Sequence, residues 1–151
     1  MLEIIKSVLL LIGLLYFAWQ DYQTRYISTA ASAVVGIIGI GLWIFIEGNV
    51  MVILQIFVSM FVGIVLILVG IVTKEKIGIG DGILFMVSGC YLNIFQNLRL
   101  FSQTIFLIGG FTILCLIIKK IRKTSQIPMA PFMLGAYVIM FLEEIRGQVS
   151  L

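Results

Sequence analysis

Asp21 and Asp81 are the only aspartates in the chain, and each stands at the edge of a long apolar run. Asp21 closes the first run, ahead of Tyr22-Gln23-Thr24-Arg25. Asp81 lies in Ile77-Gly78-Ile79-Gly80-Asp81-Gly82, with Lys74-Glu75-Lys76 before it and Ile83-Leu84-Phe85-Met86-Val87 after it. An ionisable group carried past the charges that mark a water boundary costs about 2.5–3.5 kcal/mol at full membrane depth, so its presence points to function. Two carboxyl groups held close do not ionise together, and the pair shares a proton. The ionised member can take a proton from water while the other donates to a peptide carbonyl. This chemistry needs no metal, cofactor or histidine. The chain has no histidine, which removes Ser-His triads, His-ligated metals and HExxH zinc proteases together. Cys90 and Cys115 form no CxxC pair and read as small packing residues within apolar runs. No metal site and no cofactor are expected.

The elements that must carry the aspartates are membrane helices. Of 151 residues, 62% are hydrophobic and 11% charged, with a mean hydropathy of +1.21. Such a composition defines an all-α polytopic membrane protein, and the lack of period-2 alternation argues against a β-barrel. Apolar runs predict about six transmembrane helices, at residues 4–20, 29–46, 50–73, 77–95, 101–118 and 127–142. With short loops between them, residues 1–151 form one bundle and one membrane-embedded domain. The first run lacks a following cleavage site and reads as a permanent span. The loops after spans one, three and five carry Arg25, Lys74, Lys76, Lys119, Lys120, Arg122 and Lys123. Only Lys6, Arg99 and Arg146 stand on the other side. By the positive-inside rule the basic loops, and with them both aspartates, face the cytoplasm of a cell-membrane protein. The net charge of +3 is spread over loops, so it sets orientation in lipid and does not suggest a nucleic-acid partner. Trp19 and Trp43 read as interfacial anchors at opposite membrane faces.

Each candidate residue also has an ordinary reading. Asp21 as a solvated loop residue would pair with Arg25, but an acid at a helix C-terminus opposes the macrodipole. Asp81 as an ordinary feature would be the N-cap of span four. A phosphate cradle fits the stretch less well than either reading, since Asp81 would repel the anion and no Lys-Ser/Thr pair follows. Gly78 and Gly80 would let a facing peptide come close, beside a wet pocket that shields irregular backbone from lipid. Ser32, Gly36, Gly39 and Gly41 read as helix-packing residues, and Gln55 and Ser59 as sources of an interhelical hydrogen bond. Pro128 suits a helix start. Pro131 would free backbone groups that border a substrate groove. Glu143 and Glu144 fall on the opposite face and read as solvated.

Taken together, these residues resemble the type IV prepilin peptidases, membrane aspartic proteases that trim leader peptides from prepilins. The likeness rests on Asp21 followed six residues later by Ile27, on the GxGD motif Gly78-Ile79-Gly80-Asp81, and on Pro128-Met129-Ala130-Pro131-Phe132 opening the last span. Ser28 and Thr29 stand where the family usually has Pro-Asn, and Ile83 replaces a common lysine. The resemblance implies catalytic Asp21 and Asp81, substrate-binding positions at Gly78, Gly80, Pro128 and Pro131, and cleavage at the cytoplasmic membrane face. It implies a prepilin-like protein substrate with a basic leader and a hydrophobic helix. The paired CxxC region of many bacterial relatives does not precede the first span, which implies a peptidase-only form. The competing expectation is a non-enzymatic transporter or pilus-assembly component that couples the aspartates to protons or cations.

Overall fold

The computed structural model describes residues 2–73, 78–118 and 128–149; the basic segments around Lys74–Lys76 and Lys119–Lys123, with Ile77 and Ile127, lie outside the described residues. The described chain is all-helical, with six helices: α1 (Leu2–Thr24), α2 (Thr29–Glu47), α3 (Val50–Val72), α4 (Ile79–Gly89), α5 (Ile94–Ile117) and α6 (Ala130–Val149). Four of them, α1, α2, α3 and α5, are long and apolar enough to cross a membrane. The 23 residues of α3 extend about 34 Å at 1.5 Å per residue, against a hydrocarbon core of about 30 Å.

Local chemistry sets the helix ends. Arg25 adopts a left-handed backbone (φ 53°) after α1, and its N–H donates to the Asp21 carbonyl at 2.9 Å. Ser28 caps α2. Gly48, left-handed at φ 58°, closes α2 and passes directly to Asn49, whose side chain caps α3. Asn93 and Gln96 form a reciprocal capping box at the start of α5, with bonds of 2.9 and 3.1 Å. That box explains why α5 begins seven residues before the expected span at 101. The polar run Asn93, Gln96, Asn97 and Arg99 lowers hydropathy without interrupting the helix.

Helices α1, α2, α3, α5 and α6 form a closed ring in which each packs on the next, and α4 packs against α2, α3 and α5. The expected span 77–95 is therefore corrected. At 11 residues, or about 16 Å, α4 is roughly half the length of a crossing. Its last glycine, Gly89, lies against Ser59 and Met60 in the middle of α3, and the following Cys90 and Tyr91 meet Gly36 and Gly39 in the middle of α2. The turn after α4 thus lies at mid-height, buried among protein groups, which is where irregular backbone is tolerated away from water.

Contact between α3 and α4 is backbone on backbone. A Cβ at Gly63 would lie 2.2 Å from the Met86 nitrogen, and one at Gly82 would lie 2.8 Å from the Ile67 nitrogen. Of the glycines expected to pack in α2, Gly39 lies under the Tyr91 ring, while Gly41 meets nothing within 4 Å. Ser59 donates to the Leu92 carbonyl at 2.7 Å, so its bond ends in the turn between α4 and α5 and not on a second helix, whereas Gln55 is exposed. Trp19 is exposed, as an anchor would be. Trp43 instead is buried, with the Lys6 ammonium 3.8 Å from its ring centroid and Glu3 2.8 Å from that ammonium. Its expected interfacial role is thereby corrected, because a buried cation covers the ring.

Candidate active site

The last turn of α1 carries Asp21, which belongs to the helix and not to a loop beyond it. Its side chain is buried, and its Oδ2 accepts the Ala130 N–H at 3.0 Å. Ala130 is the first residue of α6, so its N–H has no partner within that helix. Asp21 opposes the dipole of its own helix but faces the positive end of another, which offsets the penalty. The alternative pairing with Arg25 is not observed: the two ion pairs among the described residues are Lys6–Glu3 and Arg99–Glu143.

Asp81 is the third residue of α4. Its N–H donates to the Gly78 carbonyl at 3.1 Å, so the N-cap is Gly78 and not Asp81. The carboxyl folds back toward that cap, and a Cβ on Gly78 would lie 3.0 Å from Asp81 Oδ2. A substituent there would crowd the acid directly. Gly80 faces the segment after α1, where a Cβ would meet Ile27 Cδ1 at 3.1 Å. Ile27 is buried and spans the gap between the stretch that follows Asp21 and the glycine run that holds Asp81. The two aspartate-bearing segments therefore pack on each other at one end of the bundle.

Their charges interact there. Asp81 lies outside the four helices long enough to cross, and burial together with the nearby Asp21 carboxylate pushes it up to about 6. Burial is the larger cause, because it removes water from the charged form. A carboxyl held near 6 keeps a useful fraction of its proton at mildly acidic pH, as a general acid requires.

Pro128 and Pro131 flank the group that bonds Asp21. Phe132 N–H and Met133 N–H both donate to the Met129 carbonyl, so Met129 is the last residue before α6. Pro131 is then the second helical residue, where a missing N–H breaks no intrahelical bond. The expectation that Pro131 frees backbone groups is corrected; it leaves the first turn of α6 intact. Both prolines are half-buried beside Ala130.

A cavity of about 410 Å³ is lined by Gln96, Arg99, Met140, Glu143 and Glu144, and neither aspartate lines it. Glu143 is exposed and paired with Arg99, and Glu144 is exposed as expected. Among the described residues no cluster of three or more metal-ligating side chains occurs. Comparison with protein families, curated proteins and solved structures gives no match for this chain.

Proposed function

We propose that this protein is a membrane-embedded aspartic endopeptidase that cleaves the leader from prepilin-like proteins, with Asp21 and Asp81 as its dyad. The observation that carries the reading is geometric: Ile27, six residues after Asp21, packs on Gly80 beside Asp81, so segments holding two acids 60 residues apart in sequence meet at one end of an apolar bundle. Asp81, the member that holds its proton into the mildly acidic range, donates to the scissile carbonyl oxygen. Asp21 takes a proton from the water whose oxygen bonds to the carbonyl carbon. The tetrahedral adduct then collapses. Its C–N bond breaks, the proton on Asp21 passes to the leaving amine, and the proton borrowed by the carbonyl oxygen returns to Asp81. Both carboxyls end as they began, and one water has been consumed.

The membrane arrangement follows from the same residues. The aspartate end of the bundle faces the cytoplasm, with Arg25 and the basic segments after α3 and α5 on that side. α6 completes the crossings, and α4 rises from the cytoplasmic border into the shelter of its neighbours, leaving Asp81 at the water edge. Gly78 leaves space for the Asp81 carboxyl and Gly80 for Ile27, so the substrate-binding role of both glycines comes from the resemblance in sequence, while Pro128 and Pro131 shape the opposite wall around Asp21. The substrate class, a basic leader followed by a hydrophobic helix, comes from the resemblance in sequence.

The test is reconstitution of the purified protein in liposomes with a prepilin-like substrate, reading cleavage and proton flux in parallel. Release of the leader without flux supports a protease. Flux with an intact substrate supports the transporter reading and removes this one.

A further inference from the structure

We propose that Asn97 is a positioning residue for Asp81, fixing the depth and rotation of α4 from inside the bundle. Asn97 is fully buried, and its carboxamide bonds α5 to two other helices. Nδ2 donates to the Ser59 carbonyl of α3 at 2.9 Å and to the Phe85 carbonyl of α4 at 3.1 Å. Oδ1 accepts from Ser88 Oγ of α4 at 2.7 Å, while Ser59 Oγ holds the Leu92 carbonyl at 2.7 Å. Phe85 stands one helical turn beyond Asp81 on the same face, so the bond at its carbonyl sets where Asp81 points.

The need for such a tether arises from the glycines. Gly63 and Gly89 set backbone against backbone across the α3–α4 contact, and the Ile67 side chain packed on Gly82 is the one side-chain knob among the nearest contacts of these three glycines, which leaves register weakly specified. Lipid is as apolar as the helices, so apolar packing alone discriminates weakly between neighbouring registers, whereas interhelical hydrogen bonds discriminate by direction. A half-length helix also lacks the second membrane border that would fix its depth. The Asn97 carboxamide supplies the missing constraint. Because the Ser59 and Phe85 carbonyls also lie within helices, Asn97→Leu removes the tether without orphaning them, and the fold is expected to survive.

The consequence for catalysis rests on the dyad reading; the geometric consequence does not, and the experiment separates them. Spin labels are placed at Tyr22→Cys, exposed beside Asp21, and at Ile79→Cys, two residues before Asp81, in a Cys90→Ala, Cys115→Ala background. The background should give one narrow distance, and Asn97→Leu a broadened or shifted one at unchanged helix content. Where cleavage is measured, the turnover number should fall about a hundredfold while KM stays within a factor of two, the loss expected for a misplaced reacting group. Ser88→Ala, which removes one of the three Asn97 bonds, should give a smaller change in the same direction and carries the test if Asn97→Leu does not fold. An unchanged distance in a folded Asn97→Leu variant overturns the proposal. Absence of any cleavage by the parent protein overturns the dyad reading and leaves the distance result standing.

Discussion

Gly63 and Gly109 are both glycines in apolar helices, and the same substitution should act on them in opposite directions. At Gly63 an alanine Cβ would lie 2.2 Å from the Met86 nitrogen, 2.6 Å from the Gly82 oxygen and 2.6 Å from the Met86 Cα. All three are backbone atoms of α4 and cannot swing aside. Reaching ordinary contact at 3.4 Å requires α3 and α4 to part by about 1.2 Å. Overpacking of this kind costs about 1–3 kcal/mol, and alanine returns at most about 1 kcal/mol of helix propensity. Gly63→Ala should therefore destabilise by about 1–2 kcal/mol. Gly109 has nothing within 4 Å of a built Cβ, so Gly109→Ala keeps only the propensity gain and should be neutral or stabilised by up to about 1 kcal/mol. The assay is reversible unfolding in mixed micelles, followed by helical circular dichroism. Cleavage should fall with Gly63→Ala as well, because a shift of about 1 Å in the helix that carries Asp81 is worth roughly a hundredfold in rate. Equal stability of the two variants would refute the claim that α3 and α4 meet backbone to backbone.

Further outcomes follow from single contacts. Asp81 holds its proton up to about 6, so cleavage should decline as pH rises through that value and the acid ionises. An unfolded Asp81 ionises at the lower, ordinary carboxylate range, so folding stability should also fall between about 4 and 6 and level off above it. A cleavage profile flat from pH 5 to 8 contradicts this. Asp21→Asn keeps an oxygen for the Ala130 N–H and should unfold within about 0.5 kcal/mol of the parent, while Asp21→Ala loses the cap and about 1 kcal/mol. Equal stabilities would show that the bond to α6 contributes nothing. Lys6→Ala should cost about 1–2 kcal/mol by uncovering the Trp43 ring, and Lys6→Met should recover part of this by keeping the apolar stem. Unfolding of the two variants in the same micelles checks the order.

Sequence reading found the residues that carry charge in an apolar chain, because charge in such surroundings is conspicuous. Asp21, Asp81 and the glycines around Asp81 are legible for that reason. The half-length of α4 was not, since the buried turn Cys90–Leu92 is as apolar as a helix interior and hydropathy runs straight through it. Asn97 was missed because an asparagine near a helix start reads as a cap or a surface residue. Its neighbours Asn93 and Gln96 do form the cap, and that spacing alone would have moved the start of α5 to its observed position. The bond from Ala130 to Asp21 had no signal at all: its donor is a backbone N–H, and 109 residues separate the partners. Trp43 was misread because the cation that covers it comes from a different helix.

The reaction itself is tested most directly by giving a purified prepilin-like substrate to the parent protein and to Asp21→Asn and Asp81→Asn variants shown to be folded. Mass spectrometry then locates the cut. The parent should release the leader at the junction with the hydrophobic helix, and each single variant should leave the substrate whole. Release of the same leader at an undiminished rate by either variant would contradict the two-aspartate account.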